Sequence, residues 1–218
     1  MYCMGIKERR EREREQRRND IVDAAEQVFF TRGLANATMD EVAEVAELSK
    51  GTLYLYFKNK EDLYFAIVAR ANAILNEMFE SVYRSQGNGF EKIRGIGEAY
   101  CEFAEKHSKY FNAMLYFEST EFGDEFESSP FAEACFAQSH RIFDIVINVL
   151  KLGIADGTIR PDIDPNMVAT ILWAQSTGVL QIAQNRGDHL KTYHAVDPKE
   201  MIRFSIDFIG VALEAKKH

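Results

Sequence analysis

The run from Thr38 to Lys60, T-M-D-E-V-A-E-V-A-E-L-S-K-G-T-L-Y-L-Y-F-K-N-K, constrains this chain more than any other stretch. Thr38 followed three residues later by Glu41 is a capping box, and Val42, Ala43, Val45 and Ala46 supply the apolar face of the short helix it starts. Ser49 caps a second short helix, so the two meet across a turn of about three residues. Helices this short are marginal alone and must fold against neighbours. Two helices joined so tightly, the second polar on one side, form a helix-turn-helix. Within it Leu53 and Phe57, at i and i+4, pack inward. Lys50, Thr52, Tyr54 and Tyr56 are then free for phosphates and groove edges, and Gly51 lets another backbone approach closely. Asn59 caps the next helix, whose first N–H groups and Lys60 would lie beside a phosphate.

Upstream, Ile21, Ala25, Val28 and Phe29 form an apolar stripe at helical spacing, and Gly33 ends that helix. The stripe is preceded by K-E-R-R-E-R-E-R-E-Q-R-R at 7–18, with seven basic and four acidic side chains. Two readings stay open for it: a solvated helix laced with i,i+4 ion pairs, or a basic arm that lies along phosphate.

G-T-L-Y-L-Y-F-K-N-K-E-D-L, from Gly51 to Leu63, resembles the signature of TetR-type transcriptional regulators. The preceding A-A-E-Q-V-F-F-T-R-G-L-A-N-A-T-M-D-E-V-A-E-V-A is similar to the rest of that family's DNA-binding region. The match covers roughly residues 15–65; beyond it only length and an all-helical pattern agree. The resemblance implies phosphate or base contacts for Thr38, Lys50, Thr52, Tyr54, Tyr56 and Lys60, with Gly51 at the same surface. It also implies a dimer on a palindromic double-stranded operator, repression relieved by a small-molecule effector, and a fourth helix whose tilt sets the separation of two reading heads. The arm at Arg14, Arg17 and Arg18 is longer and more charged than the family needs.

The remainder is read as helices throughout. Lys60 to about Arg84 carries a stripe of Leu63, Ile67, Ile74, Met78 and Val82, and Q-G-N-G at 86–89 is a loop. Helices follow at Phe90–Lys106 and Tyr110–Phe117, then an acidic segment, 118–129, expected to be the most mobile part of the body. Pro130, Pro165 and Pro198 open three more, the last two behind Asp164 and Asp197. These run to about Ala155, Asn185 and Ala215. The expectation is an all-α chain of about nine helices: a three-helix helix-turn-helix domain at 1–60, with its charged arm at 1–18, and a larger helical ligand-binding and dimerisation domain at 61–218. Tyr100, Phe103, Phe111, Met114, Phe117, His140, Phe143 and Trp173 are candidates to line a cavity for an apolar or aromatic ligand, ordinary core packing being the alternative for each. The final helix is apolar on more than one face, which points to a second subunit, with Leu180, Phe204, Phe208 and Val211 as candidate contacts.

Charge is compatible with this reading without supporting it. Residues 1–60 hold 11 basic and 11 acidic side chains, leaving 15 and 23 to the rest and the net −8 to the body. No window is apolar enough to span a membrane, no secretory signal is visible, and the three cysteines have neither metal nor redox spacing, so a cytoplasmic protein is expected. The five histidines are scattered and no Cys/His cluster, dinucleotide loop or nucleophile elbow occurs, so no metal, cofactor or catalytic residue is expected. The competing reading is an all-helical small-molecule binder or enzyme whose helix-turn-helix does not engage DNA.

Overall fold

Local capping sets most helix starts. Thr38 Oγ1 accepts the Glu41 N–H (3.2 Å) and the Glu41 carboxylate accepts the Thr38 N–H (3.0 Å), closing the capping box that opens α2 (Met39–Val45). Ser49 Oγ accepts the Thr52 N–H at 3.1 Å and opens α3 (Lys50–Tyr54). Asn59 Oδ1 accepts the Asp62 N–H at 2.8 Å at the start of α4 (Lys60–Arg84). Asn88 caps α5 (Gly89–Lys106), and Asp164 and Asp197, each with proline next, cap α8 (Pro165–His194) and α9 (Pro198–Leu213). Ahead of these lies α1 (Ile6–Arg32); α6 (Ser108–Ser119) and α7 (Pro130–Ala155) complete the set. Gly33, with φ +74°, ends α1 in a backbone region closed to most other residues.

This computed structural model describes residues 5–120 and 129–215. Residues 121–128, within the segment expected to be mobile, lie outside the described residues, as does Cys3. Among the described residues there are nine helices, and the sole strand-like feature is an isolated antiparallel bridge between Ile159 and Glu214. No described helix is long and apolar enough to cross a membrane.

The chain divides into two compact units: Met1–Ala71 with Asn112–Phe136, and Asn72–Phe111 with Ala137–His218. Helices α4, α6 and α7 contribute to both. The boundary expected after residue 60 therefore falls inside the first unit, because the first half of α4 is part of the head's core. Ile21, Ala25, Val42, Leu53, Phe57, Leu63, Phe65 and Ile67 are all buried there. The guanidinium of Arg70 binds α4 to α1, donating to Asp23 (2.5 Å), Glu26 (3.1 Å) and the Asn19 carbonyl (3.1 Å).

The head is also fastened to the start of α7. Asp62, buried in the first turn of α4, accepts the Ser129 hydroxyl (2.6 Å) and the Lys58 N–H (3.1 Å), while Ser129 Oγ caps α7 by accepting from Phe131 and Ala132. Phe131 stacks on Phe57 with centroids 4.6 Å apart, and the Arg18 guanidinium lies 5.8 Å from the Phe131 ring centre.

In the second unit α8 packs on α9, and α5 on both. Helix α8 runs nine residues past its expected end at Asn185. The side-chain carboxylate of Asp156 and hydroxyl of Thr158, just beyond α7, accept the first N–H groups of α5 from Gly89 (2.7 Å) and Phe90 (3.1 Å).

Candidate nucleic-acid interface

The second helix of the motif presents two faces of opposite character. Leu53 (0% exposed) and Phe57 (1%) are sealed in the head, whereas Tyr54 (50%) and Leu55 (76%) stand in solvent. Lys50 is exposed and Thr52 and Tyr56 are half-buried beside them. Around Gly51 the space is open: a Cβ there would meet only Ser49 Oγ, at 3.9 Å. An exposed surface that bears donors and tyrosines suits a base edge and the phosphates flanking it. The turn before it is tight. Glu47 takes a left-handed conformation (φ +55°), and Leu48 N–H returns to the Ala43 carbonyl at 2.9 Å.

Several expected contact residues already have partners. Lys50 Nζ lies 2.5 Å from Asp40 Oδ2, an exposed ion pair spanning α2 and α3. Thr52 Oγ1 shares a 2.8 Å hydrogen bond with Ser49 Oγ, and Thr38 Oγ1 is engaged with Glu41. The Lys60 ammonium donates to the carbonyls of Leu34 (3.1 Å) and Ala35 (3.5 Å) and so closes the α1–α2 loop. Leu55 is an addition to the expected surface. Its signal is present in the sequence, since it lies off the Leu53–Phe57 face, and it stands exposed next to Tyr54.

The candidates for a ligand cavity are divided between the two units. Tyr100, Phe103, Phe111 and Met114 are buried side chains, Met114 in the first unit and the others in the second. Tyr100 donates to or accepts from Thr177 Oγ1 at 2.9 Å and makes edge contacts with Phe79 and Phe111. Phe117, also in the first unit, meets Phe65 and Phe136 edge-on. Phe143 and Trp173 meet edge-on at 5.7 Å, and His140 is exposed on α7. The second unit does hold an open groove of about 820 Å³ between α4 and α7, and its lining is polar. Glu80 sits there between Arg84 (2.8 Å) and Arg141 (3.2 Å), and Asn76 donates to Gln138 Oε1 at 2.8 Å. Arg141, rather than its neighbour His140, reaches this groove.

A separate apolar face runs along α8 and α9. Met167, Ile171 and Ile182 share one side of α8, and Phe204, Phe208 and Val211 one side of α9, all exposed. Leu180 is 4% exposed, because at about 100° per residue it points to the opposite side of α8 from that stripe.

Among the described residues no group of three His, Cys, Asp or Glu could hold a metal ion. Burial pushes the Cys135 thiol up to about 12, and burial together with Glu98 pushes Cys101 up to about 11, so both stay protonated near neutral pH.

Residues 21–67 match the family described as bacterial regulatory proteins, tetR family, and residues 93–209 match the tetracyclin repressor-like C-terminal domain. The HTH-type transcriptional repressor KstR2 of Mycolicibacterium smegmatis is 24% identical over 152 residues, 70% of this chain and 72% of that protein. The HTH-type transcriptional activator FasR of the same organism is 30% identical over 133 residues, 61% of this chain and 60% of that one. In structure, the regulator FadR of Bacillus subtilis in complex with stearoyl-CoA is similar with a TM-score of 0.68 at 17% identity, covering 87% of this chain and 96% of that chain. With both of its parts matched, this chain belongs to the TetR family of bacterial regulatory proteins and is a DNA-binding transcriptional regulator.

Proposed function

We propose that this regulator is a homodimeric cytoplasmic repressor whose two heads read a roughly palindromic operator and leave it when a small amphipathic molecule occupies the second unit. The observation that carries the reading is the division of the stretch from Lys50 to Phe57: Leu53 and Phe57 anchor it while Lys50, Tyr54 and Leu55 face outward. Two such heads in successive major grooves would sit about 34–36 Å apart. The α8–α9 face supplies the pairing surface, since six exposed apolar side chains on two adjacent helices are costly to leave in water. The effector class is suggested by the stearoyl-CoA bound to the Bacillus subtilis relative, and the arginine-bearing groove of this chain suits the polar end of such a molecule. Release requires that the effector bind one conformation better than the other. The site has no catalytic duty in this reading.

Fluorescence anisotropy with duplex DNA from upstream of the gene tests the proposal. Lys50→Ala with Tyr54→Ala should weaken binding at least tenfold while leaving the thermal transition in place, because both side chains are exposed. Unchanged affinity at physiological salt would sink the assigned surface. Phe204→Glu with Phe208→Glu should yield a monomer by sedimentation velocity, and a thermal-shift series of acyl-CoA thioesters against free fatty acids tests the effector class.

A further inference from the structure

Helix α1 is 27 residues long, about 40 Å, yet its first buried side chain is Ile21. Residues 6–17 form a stretch of about 18 Å with every side chain exposed. Charge on it is ordered. Lys7, Arg10, Arg14 and Arg17 follow a 3-4-3 spacing and share one side of the helix, within an arc of about 80°. The acidic side chains lie to either side of that arc: Glu8, Glu11 and Glu15 on one flank, Glu13 and Asp20 on the other. The ion pairs formed on this helix use other arginines, Arg9 with Glu13 (2.8 Å) and Arg18 with Glu15 (2.7 Å). Among the described residues, none of the four cations in the stripe has a carboxylate partner.

The same rhythm continues without a break into the core. After Arg17 come Ile21, Ala24 and Val28, again spaced four, three and four, three of the six side chains α1 buries in the head. The cationic line is therefore the prolongation of the line by which α1 faces the helix-turn-helix. Beyond the buried part of α1, the same line continues as four solvent-exposed cations with no carboxylate partner among the described residues.

From this we infer that the exposed first turns of α1 form a second, sequence-independent contact in which Lys7, Arg10, Arg14 and Arg17 bind the phosphate backbone of double-stranded DNA beside the operator. The inference rests on the DNA-binding reading above. The charge match is direct: the stripe spans about 15 Å, a length over which a duplex carries roughly nine phosphate charges. Guanidinium groups pair with phosphate in a bidentate fork, and pairings of this kind position a protein without reading sequence. The flanking carboxylates keep the rest of the helix from adhering to the polyanion, so one face alone is competent.

The test is the salt dependence of binding by the full chain. Every phosphate that is no longer neutralised lowers the slope of log K against log salt by about 0.9, so Lys7→Gln, Arg10→Gln, Arg14→Gln and Arg17→Gln together should lower it by about 3 to 4 per bound chain. The dissociation constant near 0.1 M salt should rise more than tenfold. Arg9→Gln with Arg12→Gln, off the stripe, should change the slope by less than about 1. Trimming the duplex to the operator alone should erase the difference between the wild type and the fourfold variant. A wild type that binds the extended duplex with a fourfold variant of equal slope overturns the role of the stripe and leaves the DNA-binding reading intact. A wild type that binds neither duplex overturns that reading itself. Equal slope changes in the fourfold and control variants also overturn the proposal, because they would reflect overall charge rather than one face.

Discussion

Removing the carboxylate of Asp62 should destabilise the protein by about 3 kcal/mol. Asp62 is 4% exposed and accepts two hydrogen bonds, from the Ser129 hydroxyl at 2.6 Å and the Lys58 N–H at 3.1 Å. Hydrogen bonds to a charged group contribute about 1.5–3 kcal/mol each, and the stranded donors add a desolvation cost. Against this, Asp62→Ala relieves the burial of a charge, which holds the net near the lower end of the sum. At about 2–4 °C per kcal/mol for a chain this size, the melting temperature followed by circular dichroism should fall by roughly 6–12 °C. Two further variants locate the cause. Asp62→Asn keeps an acceptor for Ser129 but turns an NH2 group toward the Lys58 N–H, so its loss should be intermediate. Ser129→Ala also removes the cap of α7, and the double variant should lose less than the two single losses combined, by about 1 kcal/mol or more. A fall below about 2 °C for Asp62→Ala, or additive losses in the double variant, would refute the reasoning.

Other outcomes follow from backbone and charge. Gly89→Ala should destabilise by at least 1–3 kcal/mol in urea unfolding, since its Cβ would come within 2.1 Å of the Gly153 Cα and the two backbones would have to separate. Glu47→Gly should raise the melting temperature by about 1–3 °C, because φ +55° costs a side-chain-bearing residue about 1–2 kcal/mol and part of that gain is lost to glycine's freedom in the unfolded chain. Asp156 gives a pH dependence. Partial burial raises its pKa, but hydrogen bonds from the Thr158 hydroxyl and from the N–H groups of Gly89 and Thr158 outweigh that and hold it below its ordinary 3.8. A depressed carboxylate stabilises the fold above its unfolded value and loses that contribution as pH falls through the folded one. Thermal melts of wild type and Asp156→Asn should therefore differ at pH 6 and converge as the pH drops below 3.8.

What the sequence makes legible is what acts over three or four residues. Thr38 with Glu41, Ser49, Asn59, Asn88, Asp164 and Asp197 each cap the helix that follows, and their bonds are local. Features made by distant partners are not legible there. Lys60 binds carbonyls 26 and 25 positions away, which no helix pattern encodes. The expected end of α8 at Asn185 falls too early, two residues before Gly187. In the fold it allows Pro198 to approach to 3.2 Å from where a Cβ would stand, and the helix continues. Helix α8 carries apolar residues on two sides, so spacing alone does not say that Leu180 belongs to the inner one. Aromatic content likewise names the cavity candidates without showing that four of them fill the interior.

The Lys50–Asp40 pair gives the reading head a resident competitor. A duplex that takes Lys50 must first part it from a carboxylate 2.5 Å away and then tolerate that carboxylate nearby. A DNA site offering Lys50 only a phosphate exchanges one anion for another with little net benefit. A guanine edge in register with Tyr54 and Leu55 would, on the proposed contact surface, engage those side chains as well. On the proposed contact surface Asp40 would raise the threshold for indiscriminate adhesion, and an Asp40→Asn head should hold random DNA more tightly while distinguishing its operator less.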